Sequence, residues 1–300
     1  MKSWLDEPLV QDAVGGLSAG IIGTLIGFPL DVIKTRMQTG SSGSSESSIF
    51  QVGKSILKNE GVASFYKGIT PPLISLSILN TMTFTSYTFI REQYGGQNGW
   101  DVRNALAGMS CAPASGIVST VENLVKTQMQ LDNVTKRQFN GSLHCVKSLV
   151  QSYGFPVLYT GHVINTFREA AFLGNYFFMY EGMRELLLHS THILGTNHSL
   201  GAQIAVPVAG GLSGACSWLI SFPLDCIRAV VQGRPLDERK KATFTVARNL
   251  LAERGIRGLY SGASASVARA FLVSGSRFSA YEGALWLLRG GRDNVHGGAG

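Results

Sequence analysis

Charge is what this sequence has least of. Lys, Arg, Asp and Glu together make up 15% of the 300 residues, and hydrophobic side chains make up 45%. A typical soluble domain carries roughly 25% charge, so the shortage points to lipid contact and fits poorly with a disordered chain or a polar enzyme. Cysteine is also scarce: Cys111, Cys145, Cys216 and Cys226 show no CxxC or Cys/His spacing, which excludes a zinc motif and a disulfide framework. The net charge is +7, but the longest basic run is Arg239, Lys240 and Lys241. Scattered bases without stacking aromatics exclude a nucleic-acid footprint and leave an anionic membrane surface as the better match. The opening MKSWLDE lacks the features of a secretory or transit leader. No stretch is uniformly apolar, and the mean hydropathy is only slightly positive, so membrane helices would have to be amphipathic or interrupted.

Enzyme signatures are missing as well. There is neither a P-loop nor a dinucleotide fingerprint. GLSAG at 16 to 20 matches GxSxG by letter but lies inside a long helical stretch with no preceding strand. His144, His162 and the other histidines show no ligand spacing, so no metal, no cofactor and no catalysis are expected.

Glycine is abundant, 36 of 300 residues, and repetition explains where it falls. GGLSAGIIGTLIGFPLDVIKTRMQ, ending at Gln38, is echoed by GGLSGACSWLISFPLDCIRAVVQ, ending at Gln232. A weaker middle copy, GMSCAPASGIVSTVENLVKTQMQ, ends at Gln130. A second anchor recurs as EGVASFYKG, YGFPVLYTG and ERGIRGLYSG, and a third as YTFIR, YEGMR and YEGAL. Three motifs in register define three units of about a hundred residues, read as repeats over 1–98, 99–195 and 196–300 within one integral domain.

Each unit holds two long apolar stretches around a short amphipathic one. The predicted long helices lie near 8 to 39, 70 to 95, 99 to 131, 162 to 190, 202 to 233 and 263 to 289. A helix of about 28 residues is roughly 42 Å long, enough to cross a bilayer with tilt. The small-residue pairs Gly16/Gly20, Gly108/Ala112 and Gly210/Gly214 suit close helix approach, and 39 to 48 reads as a polar loop. The expected fold is all-α: six transmembrane helices in three repeats with three short helices at one end.

The pattern Px[DE]xx[KR], intact in the first and third units and degraded in the second, is each time followed by a short amphipathic helix and an aromatic-x-Gly. It resembles the mitochondrial carrier family of solute transporters over about 8 to 290. The resemblance implies a threefold pseudosymmetric barrel around a cavity, in the mitochondrial inner membrane. It also implies a non-enzymatic, monomeric transporter of a small molecule, working by alternating access between two salt-bridge gates.

Spacing supports the first gate. Asp31, Lys34 and Gln38 lie at i, i+3 and i+7, one helical stripe, as do Asp225, Arg228 and Gln232. The resemblance implies a matrix gate in which Asp31 meets Lys126 and Asp225 meets Lys34, braced by Gln38, Gln130 and Gln232. In the middle unit Val121 replaces the proline and Asn123 the acid, so Arg228 loses its expected partner. Glu122 sits one residue early, rotated by about 100°. The cytoplasmic gate is patchier: Glu181 and Arg184 are present, Thr88 replaces the acid before Arg91, and Leu285 replaces the base after Glu282. One cyclic pair, Glu282 with Arg91, is expected there, and a weaker gate with it. Helix starts after Tyr66-Lys67-Gly68, after Tyr159 and Gly161, and after Tyr260 and Gly262 offer free N–H groups, where the resemblance implies cardiolipin.

The implied substrate site lies on the second helix of each unit, at Ser75, Arg168 and Arg269, each 16 residues before its gate position. Glu169 follows Arg168, and Asn80 adds a neutral group on the first of these helices. An arginine forks onto a carboxylate and Glu169 accepts a cation, so the pattern looks like the branch carrying basic amino acids and carnitine derivatives. The missing acid near Leu79 argues mildly against a simple dibasic substrate. A carrier of another anion or a nucleotide, or a degenerate non-transporting scaffold, are the alternatives.

Overall fold

The structure, a computed structural model, describes residues 8–40, 48–95, 98–135, 138–193, 198–234, 243–270, 272–273 and 276. Among these every regular element is helical. In order they are α1 (Pro8–Thr39), α2 (Ile49–Glu60), α3 (Thr70–Tyr94), α4 (Val102–Ser110), α5 (Ala112–Thr135), α6 (Ser142–Tyr153), α7 (His162–Ile193), α8 (His198–Gly233) and α9 (Thr243–Gly258). A further helical segment, α10, covers 263–270. Five of the six long helices expected from the repeats are thus present, with one difference; of the sixth, expected over 263 to 289, only 263–270, 272–273 and 276 are among the described residues. The helix predicted over 99 to 131 is interrupted at Cys111, between α4 and α5. Pro113 has no N–H to donate to the Met109 carbonyl, and a missing intrahelical bond is where such a helix loosens.

Each short helix buries one apolar face. α2 is capped at Ser48, whose backbone N–H donates to the Gln51 side chain at 3.2 Å, a reciprocal N-terminal box. Its apolar stripe buries Val52 and Ile56; α6 buries Cys145 and Leu149; α9 buries Val246 and Leu250. All three pairs are spaced i, i+4, which puts them on one face. At Gly61, Gly154 and Gly255 the helical course stops with φ of +80°, +78° and +64°, a backbone region open to glycine at little cost. A tight turn follows, and the chain re-enters a long helix after Gly68, Gly161 and Gly262.

The core gathers where these short helices meet the long ones. One cluster joins Phe28, Val32, Ile33 and Met37 of α1 to Val52 and Ile56 of α2. Another joins Leu124, Val125 and Met129 of α5 to Cys145 and Leu149 of α6. At the far end Tyr87 stacks on Phe177 with ring centres 3.4 Å apart. There α4 and α7 approach so closely that a Cβ on Gly108 would stand 2.5 Å from the Leu173 carbonyl oxygen, the close contact expected of that glycine. The pairs at 210 and 214 only border Tyr176, and the side chain position of 16 lies outside the described residues. Outward faces carry exposed Ile21, Ile22, Leu25, Ile26, Ile74, Ile78, Leu219 and Ile220. Among the described residues one helical stretch, Val208–Gly233, is long and apolar enough on its own to cross a membrane.

Candidate functional site

The stripe on α1, α5 and α8 converges at one end of the molecule. Lys126 Nζ donates to Asp31 Oδ2 at 2.7 Å, and Lys34 Nζ stands 2.6 Å from Asp225 Oδ2. Both pairs join neighbouring repeats, and Asp225 is only 2% exposed at its side chain. The lysines also rest on aromatic rings, Lys126 over Phe28 at 5.3 Å and Lys34 over Trp218 and Phe222 at 5.0 and 5.3 Å. Such a face attracts a cation. Phe28 and Phe222 are the residues before the motif prolines, so one tetrapeptide, FPLD, supplies both acid and aromatic floor.

The third seam differs. Asn123 and Thr120 stand where an acid and a phenylalanine stand in the other two repeats, and Arg228 turns to its own helix. Its Nη2 and Nε donate to Asp225 Oδ1 at 2.8 and 3.2 Å, and its Nη1 to Gln232 Oε1 at 3.1 Å. Between α5 and α7 a neutral network fills the space. The Asn165 amide donates to Ser119 Oγ at 2.8 Å and to Thr120 Oγ1 at 3.1 Å, and the Asn123 amide reaches Asn165 Oδ1 at 3.4 Å. Thr120 and His162 Nδ1 share a hydrogen bond of 2.9 Å.

The three motif glutamines are buried beneath this ring but do unequal work. Gln38 Nε2 donates to Asp225 Oδ2 at 3.2 Å, and Gln232 holds Arg228 while its Nε2 reaches the Thr160 and Thr120 carbonyls at 3.3 and 3.4 Å. Among the described residues Gln130 braces no ion pair with its side chain: its Oε1 accepts from Thr35 at 2.6 Å. Arg36, which the repeat pattern did not single out, forks onto Glu60 with Nη2 to Oε2 at 2.7 Å and donates to the Gln130 carbonyl. A basic residue two after the motif lysine was the available signal.

The substrate candidates lie against the ring. Arg168 Nη1 donates to Glu169 Oε1 at 2.6 Å, while its Nε is 3.6 Å from Asp225 Oδ1. Arg269 Nε stands 2.7 Å from Asp31 Oδ1, a charge contact outside hydrogen-bond alignment. Ser75 is buried and donates to the Pro71 carbonyl at 3.0 Å. The Asn80 side chain lies outside the described ones. Helix rise placed the Cα atoms of Arg168 and Arg269 away from the ring; their long side chains carry the charge back to its acids.

At the opposite end Arg91 Nη2 is 3.5 Å from Glu181 Oε2, and Arg184 Nη1 donates to the same oxygen at 3.3 Å. Arg91 also donates to Asn104 and Asn98, each at 3.0 Å. Glu282, the partner expected for Arg91, lies outside the described residues.

The aromatic-x-Gly turns close under the ring. Lys67 forms an ion pair with Asp132 of α5, whose carboxylate also accepts from the Gln138 and Phe139 backbone N–H groups at 2.7 and 3.3 Å. Gly68, at φ +86°, leaves only 2.9 Å for a Cβ against Met129, and Gly262, at φ +84°, only 3.1 Å against the Lys34 carbonyl. Gly161 faces Gln232 and Val231. Tyr66 and Tyr260 are partly exposed, and Tyr260 stacks on Phe222 at 5.7 Å; Tyr159 packs edge-on to His162 at 5.7 Å. The start of α3 is Thr70-Pro71-Pro72, and two prolines remove two of the N–H groups on which an anion there would rely. Outside the long helices, burial pushes the Cys145 thiol up to about 12, with the Asp132 carboxylate acting in the same direction.

Three stretches of the chain, residues 6–98, 100–191 and 203–291, match the family model described as mitochondrial carrier protein. Similar proteins include the mitochondrial arginine transporter BAC2 of Arabidopsis thaliana, 32% identical over 284 residues, covering 93% of this chain and 91% of that one. The mitochondrial glycine transporter YMC1 of Saccharomyces cerevisiae is 29% identical over 291 residues, with 93% and 92% covered. The mitochondrial basic amino acids transporter of Mus musculus is 27% identical over 289 residues, with 94% and 91% covered.

Proposed function

This chain belongs to the mitochondrial carrier family, a family of transporters rather than enzymes, and from that premise we propose that it carries an amino acid across the mitochondrial inner membrane by alternating access. The observation that carries the reading is the Arg168–Glu169 pair, bonded at 2.6 Å, with Arg269 beside it on the Asp31 carboxylate. Adjacent opposite charges inside a membrane protein mark a solute site by default, and a zwitterion matches them group for group: carboxylate to guanidinium, ammonium to Glu169. Relatives named for arginine, glycine and basic amino acids support the same class. Carnitine-type zwitterions satisfy the same charges and belong in the same assay.

In this reading the repeats over 1–98, 99–195 and 196–300 form one domain of six spanning helices that acts as a monomer. The Asp31 ring is the matrix gate, and Arg91, Glu181, Arg184 and Glu282 form the cytoplasmic one. Cardiolipin phosphates belong at the aromatic-x-Gly turns of the second and third repeats, where the helix starts keep their N–H groups. A solute moves such an equilibrium only by binding the intermediate more tightly than either end state. Here its carboxylate competes with Asp31 and Asp225 for Arg269 and Arg168. The test is uptake by the purified protein in liposomes against arginine, lysine, ornithine, glycine, carnitine, acylcarnitines and nucleotides. Amino-acid uptake is expected, and Arg269→Ala should abolish it in a protein that still folds. Nucleotide uptake alone, or transport indifferent to Arg269, would overturn the assignment.

A further inference from the structure

One acid inside the helix bundle makes no ion pair with a gate cation among the described residues, although Lys126 and Arg228 lie near it. Glu122 lies on α5 four residues before Lys126, so the two share a helix face one turn apart. Lys126 is pinned to Asp31 in the ring, which places Glu122 about 6 Å along the axis from it, on the side of Arg168 and Ser75. Its polar surroundings come from three other helices: the Ser75 hydroxyl of α3, Arg168 and Glu169 of α7, and Arg228 of α8. Asp31, Asp225 and Glu169 each hold a cation within 3 Å, whereas Glu122 makes no ion pair among the described residues. Beside it the Nε group of Arg168 is buried without a hydrogen bond. The Glu122 carboxylate and the Arg168 Nε therefore both keep capacity for a further partner.

The one-residue offset explains the position. The Asn123 side chain turns to Asn165 of α7; at 122 the side chain is rotated by about 100° from there, with the Ser75 hydroxyl of α3 and the Arg228 guanidinium of α8 near it. Beside Glu169, Glu122 forms a pair of like charges, and like charges in a low-dielectric interior favour a cation between them.

We infer that Glu122 is a specificity-determining contact for the transported solute, taking the side-chain ammonium or guanidinium of a dibasic amino acid. Arg168, Glu169 and Arg269 hold its α-carboxylate and α-ammonium. This rests on the amino-acid reading above and supplies the second acid that α3 lacks near Leu79.

The experiment compares radiolabelled arginine and glycine uptake by wild type, Glu122→Gln and Glu122→Asp in proteoliposomes. Glu122→Gln should raise the half-saturation concentration for arginine at least tenfold and that for glycine less than twofold, with Glu122→Asp restoring part of the difference. Equal changes for both solutes would make Glu122 a gate residue and overturn the inference. Wild type that carries glycine but not arginine would overturn it while leaving the amino-acid reading intact; wild type that carries neither would overturn both. Arginine-induced thermal shift in detergent gives the same comparison for a variant that folds but reconstitutes poorly: a shift kept in full by Glu122→Gln counts against the inference.

Discussion

Two seams of the ring are closed by carboxylates and aromatic rings, and the third by side-chain amides on backbone carbonyls. At α1–α5 and α1–α8 a partly buried lysine is fixed by an acid at 2.7 and 2.6 Å and by Phe28 or Phe222. At α5–α8 Arg228 gives its charge back to Asp225, and the bonds that cross are neutral ones, from Gln232 to the Thr120 carbonyl and from Gln128 to the Gln232 carbonyl. One carboxylate consequently answers to Lys34, Arg228 and Arg168 together. A buried ion pair gains little over an apolar contact, yet removing one partner leaves the other uncompensated and costs far more than the pair contributed. The difference teaches that this ring is held at Asp225 rather than shared evenly among three repeats.

Asp225→Asn should therefore do the most damage. It strands three cations, and a loss of about 3–5 kcal/mol is expected, seen as a large fall in apparent Tm in detergent and loss of transport. Asp31→Asn strands Lys126 and Arg269 and should fall short of it. Asn123→Asp is the converse change: it offers Arg228 an acid across the neutral seam and completes the ring. Apparent Tm should rise and the transport rate fall up to about tenfold, equivalent to about 1.4 kcal/mol; faster transport would mean the seam does not limit opening. Phe28→Leu keeps the charges and removes one aromatic floor, and should cost about 0.5–2 kcal/mol, read as a small drop in apparent Tm.

The ion pairs were legible in the sequence because a stripe at i, i+3 and i+7 fixes one helix face, and the repeat says which face meets which. The missing acid at Asn123 was legible for the same reason, as was the loss of a second-repeat partner for Arg228. Side-chain reach was not. Counting residues gives the depth of a Cα atom, whereas Arg168 and Arg269 bring their charge to Asp225 and Asp31 through long flexible stems. Gln130 looked equivalent to Gln38 and Gln232 until Thr35 of the neighbouring helix took its carbonyl oxygen, a contact that depends on inter-helix rotation. The break at Cys111 follows from Pro113, a local signal masked by the strength of the repeat. Glu122 could be seen as offset by one residue, but what it faced required the positions of α3, α7 and α8.

A double-mutant cycle measures the asymmetry directly, because it isolates the coupling between two side chains from the cost of each substitution alone. Apparent Tm would be recorded for Lys34→Ala, Asp225→Ala and the double variant, and in parallel for Asn123→Ala, Arg228→Ala and theirs. Coupling above about 1 kcal/mol is expected for the first pair and within about 0.3–0.5 kcal/mol of zero for the second. Equal coupling in the two cycles would contradict a ring closed by two ionic seams and one neutral one.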